Sequence, residues 1–131
     1  MNTRSNSSCK GLAPDTPFSI GIERRPNGVI ARLSGSCTME VSSRLGECLV
    51  ELASEQPHVI VLEMSRLDFV ESTGLGGIIA GYLRCRRQRG EVRVVAPQES
   101  ILALLQLTRL TQLFRIFDTI EDALGAAVSD P

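Results

Sequence analysis

Tryptophan is absent from this 131-residue chain, and its other aromatics are one Tyr and four Phe. The stacking platforms that single-strand nucleic-acid binders use are therefore missing. The formal charge is −1, so no global basic field favours direct nucleic-acid binding. His58 is the only histidine and Lys10 the only lysine. Cys9, Cys37, Cys48 and Cys85 show no CxxC spacing. No His/Cys metal cluster can be built from these residues, and no metal or cofactor is expected. Without signs of an oxidising compartment, reduced structural thiols are expected. No apolar run approaches the ~18 residues of a membrane span. The opening MNTRSNSSCKGLAP lacks the apolar stretch of a signal peptide. A cytoplasmic protein without membrane contact follows as the expectation.

The chain does have an ordinary globular balance, 43% apolar and 22% charged, at a length suited to one core. Residues 1–14 read as a disordered tail and 15–131 as a single domain. FSIGIERR (Phe18–Arg25) and Val29–Leu33 read as an antiparallel hairpin, with Asn27-Gly28 suited to positive φ at the turn. Val41, Leu45, Cys48, Leu49 and Leu52 recur at helical spacing, and Pro57 closes that helix. Residues 58–64 (HVIVLEM) carry four consecutive apolar positions, as in a strand buried on both faces. A second helix follows "DFVESTGLGG" (Asp68–Gly77) and runs through Arg89, with Gly90 as its C′ residue. Residues 91–96 predict another strand and Gln98–Leu107 a short helix. Arg115–Phe117 predicts a brief edge strand. The last helix, over Asp118–Leu124, should start from a capping hydroxyl or carboxylate. The order ββαβαβα implies an α/β fold with right-handed crossovers.

Catalysis finds little support. A strand length of roughly 17 Å would separate His58 from Ser72, too far for a Ser-His pair. Gly74, Gly76 and Gly77 lie at a strand-to-helix turn, where free amides attract anions. Neither GxGxxG nor GxxxxGK[ST] is present, however, so the nucleotide-loop signal is weak. Arg84, Arg86, Arg87 and Arg89 crowd the end of the second helix. They suit its dipole, or else a docking patch for an acidic partner. The apolar residues of Ile101–Leu107 wrap around more than one helical face. They are either buried on a wide arc or partly open as a contact for another protein.

The adjacent hydroxyls Ser72 and Thr73 leave three roles open. They could cap the helix, cradle a bound phosphate, or receive a phosphate covalently. A phosphoryl group brings about −1.5 to −2 charge and sits well at a helix N-terminus. It would alter the neighbouring surface without unfolding the helix.

Three stretches then carry a resemblance: "VIARLSGSCT", "VIVLEMSRLDFVESTGLGGIIAGYLRCRRQRG" and "LTRLTQLFRIFDTIEDAL". Their order resembles STAS domains, specifically bacterial anti-sigma factor antagonists. The resemblance covers roughly Phe18 to Val128. It implies a four- to five-stranded mixed sheet with helices packed mainly on one face. It also implies a non-enzymatic switch in transcription. The dephosphorylated antagonist binds a GHKL-type anti-sigma factor serine kinase and frees a sigma factor. Phosphorylation ends that binding, and a PP2C-type phosphatase restores it. By position the acceptor is Ser72, with Thr73 the alternative. The implied partner-binding set is Thr38, Glu71, Ser72, Thr73, Gly74 and Leu75. Glu71 and Thr38 stand where the family has Asp. That departure leaves open an unphosphorylated STAS scaffold in a signalling or transport assembly. A second copy of the chain, forming a homodimer, is a further candidate partner.

Overall fold

The computed structural model describes residues 18–127; the tail expected at 1–14 lies outside them. Strand β1 (Phe18–Arg25) pairs antiparallel with β2 (Gly28–Cys37). The chain then alternates: helix α1 (Met39–Ser54), β3 (Val59–Val70), α2 (Ser72–Arg87), β4 (Glu91–Val95) and α3 (Glu99–Leu107). A single 3₁₀ turn (Leu110–Gln112), β5 (Arg115–Phe117) and α4 (Ile120–Gly125) complete it. The sheet order is β1-β2-β3-β4-β5, with β2 to β5 parallel. The mixed α/β sheet expected from the sequence is the one found.

The larger core joins Leu45, Leu49 and Leu52 of α1 to Ile60, Leu62 and Met64 of β3. It also takes in Leu75 and Ile78 of α2 and Ile101 and Leu105 of α3. Three helices therefore cover one face of the sheet. On the other face α4 closes a smaller cluster of Ile30, Val59, Val61, Val95 and Ala123. The two long helices meet backbone to backbone. A Cβ on Gly77 would stand 2.9 Å from Gly46 Cα, and one on Gly81 only 2.7 Å from Leu49 Cβ.

Several local expectations are corrected. At the hairpin turn neither Asn27 nor Gly28 has positive φ. Pro26 presets its own φ near −65°, which suits an ordinary turn. Gly28 is small for another reason, since a Cβ there would lie 2.9 Å from the Val59 carbonyl oxygen. After α2 the left-handed residue is Arg89, at φ 65°, and not Gly90. Gly90 packs instead against the Pro57 carbonyl, which a Cβ would approach to 2.6 Å. Cys37 and Cys85 are free and buried, but Cys48 is disulfide-bonded, against the expectation of reduced thiols throughout.

Arg93 is fully buried in β4. Its guanidinium donates to the carbonyls of Ala123, Ala126 and Ala127 and to the Glu91 carboxylate. Cations suit the carbonyl end of a helix, so this one side chain ties the end of α4 to the sheet.

Candidate functional site

Strand β3 runs six residues past the expected end at Met64, to Val70. Register shifts between Arg32 and Ser34, and again between Gly35 and Ser36, keep it paired with β2. These irregularities blur the in-out alternation, so the polar stretch after Met64 reads as a loop. Ser36 pairs with Phe69 and Cys37 with Val70. The Glu71 amide then donates to the Cys37 carbonyl at 2.9 Å. The two strands thus stop together, and each hands its chain to a helix.

Thr38 is the N-cap residue of α1 and Glu71 that of α2. Both have extended backbone, φ −85° and −79°, and neither side chain makes a capping hydrogen bond. Ser72 is the first residue of the helix itself. The expectation that Ser72 or Thr73 caps α2 is therefore corrected. The strand ladder carries the chain as far as Glu71, so the cap position falls there and the hydroxyls fall inside the first turn. Ser72 and Thr73 are exposed, and neither hydroxyl is hydrogen-bonded among the described residues. A helix leaves its first amides unpaired within itself, so Ser72 stands over free N–H groups at the positive end of α2.

The structure brings Thr38, Glu71, Ser72 and Thr73 to one edge of the sheet. Gly74 and Leu75 are buried beneath them. They shape the turn and offer no side chain to a partner. A Cβ on Gly74 would stand 2.7 Å from Val70 Cγ2 and 3.0 Å from Cys37 Sγ. Burial, aided by the nearby Glu71 carboxylate, pushes the Cys37 thiol up to about 11. That thiol is packing, not a nucleophile.

His58 is exposed at the opposite end of β3. Twelve strand residues lie between it and Glu71, which at ~3.3 Å each is roughly 40 Å. The separation from Ser72 is larger than the sequence suggested. No group of three His, Cys, Asp or Glu residues among those described could hold a metal ion. No helix among them is long and apolar enough to cross a membrane.

Two residues at this edge escape a reading by periodicity. Met39 is 65% exposed and Phe69 47% exposed. The signals were present in the sequence. Met39 lies off the apolar stripe of α1, and Phe69 precedes the inward-facing Val70. Of the Ile101–Leu107 segment, Ile101 and Leu105 are buried, whereas Leu107 is 82% exposed. The arginines Arg84, Arg86, Arg87 and Arg89 are all exposed.

Comparison with known proteins adds four findings. An anti-sigma F factor antagonist of Paenibacillus polymyxa is 29% identical over 106 residues, covering 80% of this chain and 91% of that protein. The crystal structure of an anti-sigma factor antagonist from Mycobacterium paratuberculosis superposes with a TM-score of 0.75 at 27% identity. It covers 90% of this chain and 98% of that one. The Bacillus cell fate determinant SpoIIAA, in its phosphorylated form, shares the fold at 18% identity with a TM-score of 0.66. It covers 81% of this chain and 96% of its own. The STAS domain family matches residues 19–123. That span takes in the whole of β2, β3 and β4 and the turn that presents Ser72, and the chain belongs to the STAS domain family.

Proposed function

We propose that this protein is an anti-sigma factor antagonist that works by exchanging partners. The observation that carries the reading is the Ser72 hydroxyl, exposed and unbonded on the first turn of α2. It stands where two strand ends and two helix starts meet. The names of the relatives support the antagonist role. In this reading the protein is a binding module and not an enzyme. The unphosphorylated form binds an anti-sigma factor, a GHKL-type serine kinase, through Thr38, Glu71, Ser72 and Thr73. ATP-dependent phosphorylation of Ser72 ends that binding, and a PP2C-type phosphatase reverses it. A phosphoryl group at this position faces free amides and the positive end of the helix dipole, so α2 persists while its surface changes.

The test is incubation with the kinase and ATP, read by intact mass. One added phosphate is expected, absent in Ser72→Ala and retained in Thr73→Ala. Ser72→Asp should weaken binding to the kinase. No transfer, together with binding indifferent to Ser72→Asp, would replace the switch with a constitutive scaffold.

A further inference from the structure

Helices that follow parallel strands start at the same edge of a sheet, and here that edge carries more than Ser72. Met39 opens α1, two residues beyond the Cys37–Val70 pair. Phe69 lies one residue before it on β3. Phe69 precedes the Ser72 turn in the chain and Met39 follows the strand paired with it, so the two exposed apolar residues lie at the same end of the sheet as Ser72. Exposed apolar side chains clustered at one site mark a contact surface, whereas scattered ones need no explanation.

The charge of this edge is one-sided. The stretches that build it are residues 38–43, 67–76 and 96–100, and they contain Glu40, Asp68, Glu71 and Glu99 but no Lys, Arg or His. Gln98 joins the third stretch to the second, its Nε2 donating to the Ser65 carbonyl at 3.0 Å and to Asp68 Oδ1 at 3.4 Å. The bordering bases are Arg44, one turn into α1, and Arg66, two residues before Asp68. Glu40 and Glu99 also suit the helix starts on which they sit. Asp68 belongs to a strand, so helix capping does not account for it.

We infer that Met39 and Phe69 are the apolar anchors of the antagonist contact, entering a hydrophobic recess that the anti-sigma factor rims with Arg or Lys. This rests on the partner-exchange reading above and names what makes the contact. Hot spots are desolvated apolar groups near the centre of an interface, while surrounding charges set encounter rate and orientation. The arrangement also explains how phosphorylation would break a contact with a basic partner, which charge alone would strengthen. A phosphoryl group on Ser72 holds water, and burying it in a contact anchored by apolar side chains requires stripping that water away.

The test uses the purified GHKL-type serine kinases of the source organism, each assayed against the full chain by biolayer interferometry. The variant Met39→Ser/Phe69→Ser should bind at least about 30-fold more weakly, mainly through faster dissociation. Its thermal unfolding should match wild type, since both side chains are exposed. The variant Glu40→Gln/Asp68→Asn/Glu99→Gln should associate about tenfold more slowly, with a shallower salt dependence. Leu107→Ser, at the far end of α3, should change nothing. The inference is overturned if Ser72→Asp weakens binding while the Met39/Phe69 variant binds as wild type does. It is also overturned if that variant alters only self-association in sedimentation, which would make a second copy the occupant. If no kinase binds wild type or phosphorylates Ser72, the partner-exchange reading itself falls, and this inference with it.

Discussion

The amide of Glu71 donates to the carbonyl of Cys37 at 2.9 Å. This bond is the last rung between β2 and β3. It decides that Thr38 and Ser72, far apart in sequence, lie side by side at the ends of two strands. It also makes Glu71 the N-cap of α2 and leaves the Ser72 hydroxyl outside the capping geometry. Phosphate chemistry at Ser72 would therefore not compete with a structural hydrogen bond.

From this follows an expectation for Ser72→Asp. A carboxylate in the first turn interacts favourably with the helix dipole, by about 0.3–1 kcal/mol. The variant should fold and be slightly more stable than wild type in urea denaturation, even as its partner affinity falls. A loss of stability instead would mean that the Ser72 hydroxyl bears on the fold.

Neighbouring glycines of α2 should respond in opposite directions. Nothing lies within 4 Å of a Cβ placed on Gly76, so Gly76→Ala should stabilise by about 0.4–1 kcal/mol through helix propensity. At Gly77 a Cβ would meet Gly46 Cα at 2.9 Å, and at Gly74 it would meet Val70 Cγ2 at 2.7 Å. Gly77→Ala and Gly74→Ala should each cost about 1–3 kcal/mol, since helix or strand must shift to admit the methyl. Urea midpoints of the three variants check the contrast.

Replacing Arg93 with Met should cost about 3–5 kcal/mol. It takes one partner from the Glu91 carboxylate, which keeps Arg115 at 3.4 Å, and leaves the carbonyls of Ala123, Ala126 and Ala127 without this donor. Hydrogen exchange should show α4 opening first, with the β2–β3 pairing protected longest.

Thiol chemistry supplies a pH prediction. Burial pushes Cys37 and Cys85 up to about 11, with Glu71 and Glu91 adding to the effect, from an ordinary value of 9.0. Between those values the folded state holds protons that the unfolded state has released. The stabilising effect is thus complete below pH 9 and is lost as pH rises toward 11. Urea stability should fall across that window, and less steeply in Cys37→Ala. At pH 8 iodoacetamide should leave Cys37 and Cys85 unmodified until the chain unfolds.

Much of this was legible in the chain. The stripe Val41, Leu45, Cys48, Leu49 and Leu52 is buried along α1 as its spacing predicts. The acidic start of α4 is capped by Thr119, whose hydroxyl accepts the Asp122 amide at 3.0 Å. Such features depend on residues within a turn or two of one another, where propensity and periodicity act directly. The continuation of β3 beyond Met64 was not legible, because its partner strand, not its own alternation, holds it straight. The burial of Arg93 was hidden too. Its acceptors are mainly carbonyls some thirty residues further on, which a reading of neighbours cannot supply.

By itself, then, the sequence determined the elements, their order and the turn that offers two hydroxyls. Each of those is settled by local sterics and by which residues prefer to leave water. Only the tertiary structure decided which hydroxyls cap and which stand free. It alone brought Met39 and Phe69 to the same end of the sheet as Ser72, because the pairing of Cys37 with Val70 is a choice of register between distant segments, and that choice is made by the packed sheet as a whole.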